Sequence, residues 1–145
     1  MTIHRVMSHA CVHSKSHFVD IGCGEGLAAV YMRLILKKNV VCCDLQSHYL
    51  NMISFLTTCL FISKVVCQPL IPFFDHDDVV YLCVWTSWSK RNRQRMIEQF
   101  LTHIPKGGVL VTVSHGIVHP DLLALDCVQE SFAWGPASVY YYQHA

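Results

Sequence analysis

The sequence predicts an α/β fold in which a doubly wound, mostly parallel sheet of seven strands ends in an antiparallel hairpin. Two observations predict it. Short apolar runs alternate with segments of helical periodicity, and a glycine-rich turn joins the first such run to the first helix. The 145 residues suffice for one domain, and a composition of 52% apolar and 14% charged residues predicts a compact chain.

The first half of the chain predicts three strands and two helices. Residues 1–16 are expected to form a loose lead-in with room for one helical turn, and the domain is expected to span 17–145. The first helix carries apolar residues at spacings of three and four, which is the pattern of a helix. These residues are Leu27, Val30, Tyr31, Leu34 and Ile35. The predicted elements are strand 17–21, helix 25–37, strand 40–45, helix 47–61 and strand 64–68.

The second half predicts a buried strand, a helix and three further strands. Residues 79–85 are continuously apolar, as in a strand covered on both faces. A glycine turn at 105–108 precedes the fifth strand, and Gly135-Pro136 marks the turn of the closing hairpin. The helix 88–104 is expected to bury Met96, Ile97, Phe100, Leu101 and Ile104. The remaining elements are strand 109–114, an irregular or short helical segment 117–124, strand 125–132 and strand 137–143.

Charge and cysteine content narrow the function classes. A net charge of +1 excludes a strong overall attraction to nucleic acid, although a local basic patch stays open. The eight cysteines form no C-x-x-C pair, so they are interpreted as small buried apolar residues of a reducing, intracellular compartment. The sequence shows no signal peptide and no plausible membrane span. The histidines at 4, 9, 13 and 17 lack partners for a familiar ligand set, so no metal site is expected.

The turn after the first strand has the most informative pattern in the chain. Gly22, Gly24 and Gly26 stand at alternate positions, two residues after Asp20, whereas a dinucleotide-binding turn has the spacing G-x-G-x-x-G. A carboxylate there would repel a pyrophosphate but suits a cofactor that carries an ammonium group. Asp44 follows 18 residues after Gly26 at the end of the next strand, where an acidic side chain can accept both ribose hydroxyls of an adenosine. The alternative for Asp44 is a helix cap.

A second candidate region follows the strand at 79–85. The segment Trp85-Thr86-Ser87-Trp88 comes at the carboxyl edge of the predicted sheet, where ligands bind in open α/β folds. Its aromatic rings could line a narrow slot for a substrate, or they could hold a methylated ammonium group by cation–π contact. The alternative is that Trp85 belongs to the core and Trp88 starts a helix. The basic residues Lys90, Arg91, Arg93 and Arg95 come next, and they form either an RNA-binding surface or a solvated face.

The glycine turn resembles motif I of the class I S-adenosylmethionine-dependent methyltransferases. Asp44 matches the acidic ribose ligand of that family, and Pro105–Leu110 resembles its P-x-G-G-x-L turn. The resemblance extends from Phe18 onward. It implies a Rossmann-like fold, a methyltransferase activity and S-adenosyl-L-methionine as the cofactor. The cofactor-binding residues that it implies are Asp20, Gly22, Cys23, Gly24, Glu25, Gly26, Asp44, Leu45 and Gln68.

Within that family the chain is similar to small protein-lysine methyltransferases. Val113-Ser-His115 and the closing segment 134–142 resemble theirs, and strand 79–85 lacks the Asn/Asp-Pro-Pro-aromatic ending of nucleic-acid amino methyltransferases. The resemblance implies a protein lysine acceptor, with Trp85, Thr86, Ser87 and Trp88 around the transferred methyl group. Two departures are the short lead-in and Gln68, where an Asp or Asn is usual. The alternatives are an RNA or small-molecule methyltransferase, and an inactive scaffold subunit. The sequence does not predict an oligomeric state.

Overall fold

A mixed β-sheet forms the centre of the fold in the computed structural model, which describes residues 2–24, 26–44, 64–66 and 78–145. The strands are β1 (His17–Ile21), β2 (Asn39–Cys43), β3 (Lys64–Val66), β4 (Val79–Val84), β5 (Val109–Val113), β6 (Leu122–Phe132) and β7 (Gly135–His144). The helices are α1 (Thr2–Met7), α2 (Ala10–His13), α3 (Leu27–Leu34) and α4 (Lys90–His103).

The strand order is β3-β2-β1-β4-β5-β7-β6, and β7 runs antiparallel to both of its neighbours. The other described pairings are parallel, which confirms the mostly parallel α/β sheet with a C-terminal hairpin. Ile21 at the end of β1 lies level with Cys43 of β2 and Cys83 of β4. The chain therefore reverses its strand order between β1 and β4, and this switch point is where ligands bind in such sheets.

Helices cover both faces of the sheet. On one face, α1, α2 and α3 pack against alternate residues of β1, β4 and β5 in one apolar cluster. On the other face, Met96 and Phe100 of α4 and the following Ile104 are buried against the remaining residues of those strands, whereas Ile97 and Leu101 of the predicted stripe are partly buried. The period-two alternation of the strands thus divides the core into two layers.

The expectation of a loose lead-in at 1–16 is wrong, because α1 and α2 belong to the core. Val6, Met7 and Val12 are fully buried. The hydroxyl of Tyr141 donates a hydrogen bond to the carbonyl of Val6 at 3.1 Å. His9 stacks on the Tyr141 ring with centroids 4.0 Å apart. These contacts fix a polar, histidine-rich segment that periodicity alone did not assign to the core.

The predicted helix 25–37 is shorter in the structure, where α3 spans Leu27–Leu34. The helix α3 buries Ala29 and Met32, whereas Leu27, Leu34 and Ile35 are 74%, 41% and 61% exposed. The two buried residues lie three positions apart and form the narrow face that approaches the sheet. The larger apolar side chains Leu27, Leu34 and Ile35 therefore stay outside the buried core.

Several predicted elements are confirmed with shifted ends, and others lie outside the described residues. The strand predicted at 125–132 begins at Leu122, and the one predicted at 137–143 extends over Gly135–His144. Helix 47–61 and the end of strand 64–68 lie outside the described residues. Cys42, Cys43 and Cys83 are buried as expected for small apolar residues, while Cys127 is exposed. Within the described part of the chain, no helix is long and apolar enough to cross a membrane.

Candidate functional site

The glycine turn is tied to the end of the neighbouring strand β2. The backbone N–H groups of Gly22 and Cys23 both donate to the carbonyl of Cys43, at 2.8 and 3.1 Å. Gly24 adopts a φ of 51°, and a β-carbon placed on it would meet no atom of the described residues within 4 Å. The turn therefore lies at the carboxyl edge of the sheet, and no described residue fills the space above Gly24.

Asp44 at the end of β2 lies against the glycine turn. The carboxylate oxygen Oδ2 of Asp44 accepts a hydrogen bond from the backbone N–H of Gly24 at 2.9 Å. A carboxylate offers about four acceptor positions, so an acidic side chain at this position can accept more than one donor, ribose hydroxyls included. Asp44 is half-buried, and it fixes the conformation of the turn while remaining at the edge of the open space.

Asp20 carries a carboxyl group inside the fold, directly before the turn. Only 3% of the residue is exposed. Burial, reinforced by the negative charge of Asp44, raises the pKa of Asp20 from 3.8 to about 7. Ionising this group in a poorly solvated place is costly, and a cation close to it would remove that cost. The site therefore favours a positively charged ligand group beside Asp20.

Trp88 lies against the glycine turn. A β-carbon added to Gly22 would be 3.2 Å from Cζ2 of Trp88, in a backbone conformation with a φ of 74°. The ring of Trp88 also meets that of Trp85 edge-on, with centroids 6.4 Å apart. The structure thus brings together the glycine motif and one end of the predicted acceptor segment.

The other residues of that segment have different surroundings. Trp85 is 1% exposed, and its indole Nε1 donates to the carbonyl of His115 at 3.0 Å, so it is part of the core. Thr86 and Ser87 are exposed at the end of β4. The hydroxyl of Thr86 forms a 2.7 Å hydrogen bond with that of Ser114, which follows β5 and has a φ of 82°. This bond joins the ends of two adjacent strands.

A cavity of about 740 Å³ opens beside the glycine turn, between α1, α3 and the turn of the β6–β7 hairpin. Its walls are almost entirely apolar. Sequence reasoning missed this feature because its residues come from both ends of the chain. The described residues that line it are Thr2, Ile3, Asp20, Gly22, Cys23, Leu27, Ala28, Val30, Tyr31, Leu34, Ile35, Leu82, Val84, Phe132, Ala133 and Trp134.

The basic segment lies at the start of α4. Lys90, Arg91 and Arg95 are exposed, whereas Arg93 is half-buried and donates from Nη1 to the carbonyl of Trp88 at 2.6 Å. Three residues predicted to bind a cofactor, Glu25, Leu45 and Gln68, lie outside the described residues. Within the described residues, no cluster of three His, Cys, Asp or Glu side chains could hold a metal ion.

Comparisons with known proteins show the fold. No protein-family model and no curated protein matches the sequence. TrmN from Thermus thermophilus is similar in structure, with a TM-score of 0.76 and 12% identity over 99% of this chain and 48% of that protein. Magnesium protoporphyrin IX methyltransferase from Synechocystis was solved with S-adenosylmethionine bound. It is similar with a TM-score of 0.74 and 12% identity, over 99% of this chain and 78% of that protein. A putative methylase from Haemophilus influenzae gives 0.73 and 16% over 99% of both chains.

The similar structures thus include methyltransferases of small-molecule and RNA acceptors. This chain spans about half the length of TrmN. The chain has the Rossmann-like fold of class I methyltransferases. Identities of 11–16% among these structures show the fold alone, because one fold serves many functions.

Proposed function

We propose that this chain is an S-adenosylmethionine-dependent methyltransferase. The observation that carries the proposal is the bond between Gly24 and Asp44, which joins the glycine turn to the acidic end of β2 at the switch point of the sheet. Rossmann-like folds that bind an adenosine place these two elements at this position. The similar structure with bound S-adenosylmethionine supports the same assignment.

The described residues fit that cofactor. The Asp44 carboxylate would accept the ribose hydroxyls, and the open space over Gly24 leaves room for the ligand. Asp20 would face the positively charged end of the cofactor, which offsets the cost of ionising a buried carboxyl. The resemblance adds Cys23, Glu25, Leu45 and Gln68 to this set. When bound, the cofactor supplies a methyl group that is already activated on a sulfonium sulfur.

The residues of the chain then have to align the acceptor and exclude water. Trp88 covers one side of the glycine turn at Gly22. The hydrogen bond between Thr86 and Ser114 fixes the ends of β4 and β5 at the same edge. Alignment of two reacting groups can lower a barrier by about 7–11 kcal/mol.

The acceptor that the sequence resemblance implies is a protein lysine side chain. Trp88, Thr86 and Ser87 would border its slot, whereas Trp85 would support that slot from the core. Lys90, Arg91 and Arg95 offer a surface to RNA as an alternative acceptor. The apolar cavity beside the glycine turn favours a third class of acceptor, a small molecule.

Calorimetric titration with S-adenosylmethionine and S-adenosylhomocysteine tests the proposal. Asp44→Ala should weaken binding of both by about 10- to 100-fold, since a hydrogen bond to a charged group contributes about 1.5–3 kcal/mol. Asp121→Ala is the matched control, because Asp121 is an exposed carboxylate just before β6. Absence of binding to the unsubstituted chain at millimolar cofactor would contradict the proposal and favour the scaffold alternative.

A further inference from the structure

We propose that the cavity between α1, α3 and the turn of the β6–β7 hairpin is the acceptor site, and that it takes a small, flat, uncharged apolar molecule. The inference rests on the proposed methyltransferase function. The volume of the cavity, about 740 Å³, lies within the 300–1,000 Å³ that is usual for small-molecule pockets.

One wall of the cavity is the apolar face of α3 that the core does not use. Leu27, Leu34 and Ile35 are largely exposed, and they line the cavity together with Tyr31. A run of exposed apolar side chains on one face of a short helix marks a binding surface, because single exposed apolar residues are common but contiguous ones are not. The ligand that covers this wall must be apolar.

The opposite wall is an aromatic pair in the hairpin turn. The rings of Phe132 and Trp134 are stacked, with centroids 4.6 Å apart and planes at 13°, and Trp134 is 57% exposed. The turn projects past the carboxyl edge of the sheet, because Val139 pairs with Val113 at the end of β5 and four further residues precede it in β7. A flat ligand can stack on this pair above the cofactor edge.

The hairpin wall is held in place by contacts with α1 and α2. Arg5 forms an ion pair with Glu130 at 2.8 Å, and Nε2 of His9 lies 2.9 Å from Asp126. The hydroxyl of Thr2 donates to the carbonyl of Ser131. These contacts place the cavity between elements that are already joined, so the site is preformed rather than assembled by its ligand.

Charge argues against a nucleic acid or a basic peptide in this cavity. The described lining residues include no lysine, arginine or histidine, which an RNA backbone would require. Asp20 is the one carboxylate among them, and only 3% of this residue is exposed. The exposed basic residues Lys90, Arg91 and Arg95 belong to α4, which packs on the other face of the sheet.

The cavity meets the proposed cofactor site at its methyl-donor end. Asp20, Gly22 and Cys23 line the cavity, whereas the proposed ribose ligand Asp44 is not among its lining residues. In the transfer, the carbon–sulfur bond breaks and its electron pair stays on sulfur. A lone pair of the acceptor's oxygen or nitrogen forms the new bond to the methyl carbon. The proton that the acceptor loses passes to water at the cavity mouth.

The test combines a binding probe with a transfer assay. N-phenyl-1-naphthylamine, an uncharged probe whose fluorescence rises in apolar sites, should bind the unsubstituted chain. Trp134→Ala and Leu34→Gln should weaken this binding by about 3- to 10-fold, as the loss of about 0.5–1.5 kcal/mol of stacking or apolar contact implies. Leu123→Ala is the control, because Leu123 is a large exposed apolar residue on β6 away from the cavity. Both cavity substitutions are at exposed positions, and circular dichroism checks that the variants fold.

Methyl transfer from radiolabelled S-adenosylmethionine to 2-naphthol, measured beside whole-cell protein and RNA fractions, completes the test. The proposal is supported if the unsubstituted chain labels 2-naphthol. In Trp134→Ala, the KM for 2-naphthol should then be raised, while the affinity for S-adenosylhomocysteine should be unchanged. Equal probe binding by the chain and both cavity variants would overturn it. Label confined to protein or RNA would also overturn it while leaving the methyltransferase function intact. Probe binding by a chain that binds no cofactor would refute both the acceptor role and the proposed function.

Discussion

The buried carboxyl of Asp20 predicts a specific dependence of stability on pH. Its pKa rises from 3.8 to about 7 on folding, chiefly through burial and secondarily through Asp44. A raised pKa means that the protonated form is stabilised in the fold. This contribution is fully present below pH 3.8, declines as the pH rises and is lost above pH 7. At 1.36 kcal/mol per pKa unit, the change amounts to about 4 kcal/mol.

Replacing the carboxyl by an amide isolates this effect. Asp20→Asn cannot ionise, so its free energy of unfolding relative to the unsubstituted chain should rise by up to about 4 kcal/mol between pH 4 and pH 8. With a urea m-value of about 2 kcal/mol/M, this equals a relative shift of about 2 M in the unfolding midpoint. The difference between the two pH profiles is the measured quantity, because the amide also changes local hydrogen bonding by a constant amount.

Two further measurements make the test decisive. Asp121→Asn at an exposed position should give a profile parallel to that of the unsubstituted chain. Saturating S-adenosylmethionine should reduce the difference at pH 8, since a cation beside Asp20 stabilises the carboxylate. Parallel profiles for Asp20→Asn and the unsubstituted chain between pH 4 and pH 8 would refute the argument from burial.

Two other substitutions test the turn and the strand edge. Gly24→Arg should abolish cofactor binding, because the arginine side chain would enter the space above the turn and the φ of 51° at this position disfavours any side chain. Calorimetric titration with the cofactor measures the loss. Unchanged affinity in a folded variant would contradict the site. Thr86→Val should lower the free energy of unfolding by about 1 kcal/mol, since it removes the 2.7 Å hydrogen bond to Ser114. Thr102→Val, which removes a threonine hydroxyl within α4, serves as the comparison. An unchanged urea midpoint for Thr86→Val would show that the bond to Ser114 contributes nothing.

The sequence predicted the strands well because buried parallel strands are continuous apolar runs with few alternative interpretations. The strand at 17–21 has the predicted bounds, and those at β4 and β5 differ by one residue at the end. The carboxyl ends of adjacent parallel strands share one edge, which is why Gly24 and Asp44 lie close enough to form a hydrogen bond. These features depend on patterns among residues that are close together in the chain, and such patterns can be detected in the sequence.

The acceptor side could not be predicted in the same way. The sequence left two interpretations of Trp85 open, and only its bond to His115 and its burial show that it belongs to the core. The cavity joins Thr2 and Ile3 to Trp134, and no pattern within a window links residues so far apart. The ion pair between Arg5 and Glu130 likewise depends on tertiary packing.

The exposed apolar side chains of α3 bear on the proposed acceptor site. Periodicity correctly identified an apolar face at Leu27, Tyr31 and Leu34, but it cannot say whether protein or ligand covers that face. Ala29 and Met32 are buried, and Val30 and Tyr31 pack partly against the same core cluster. Leu27, Leu34 and Ile35 remain largely exposed beside the glycine turn. A ligand bound in the proposed acceptor site would cover these three side chains, which the core of the protein leaves uncovered.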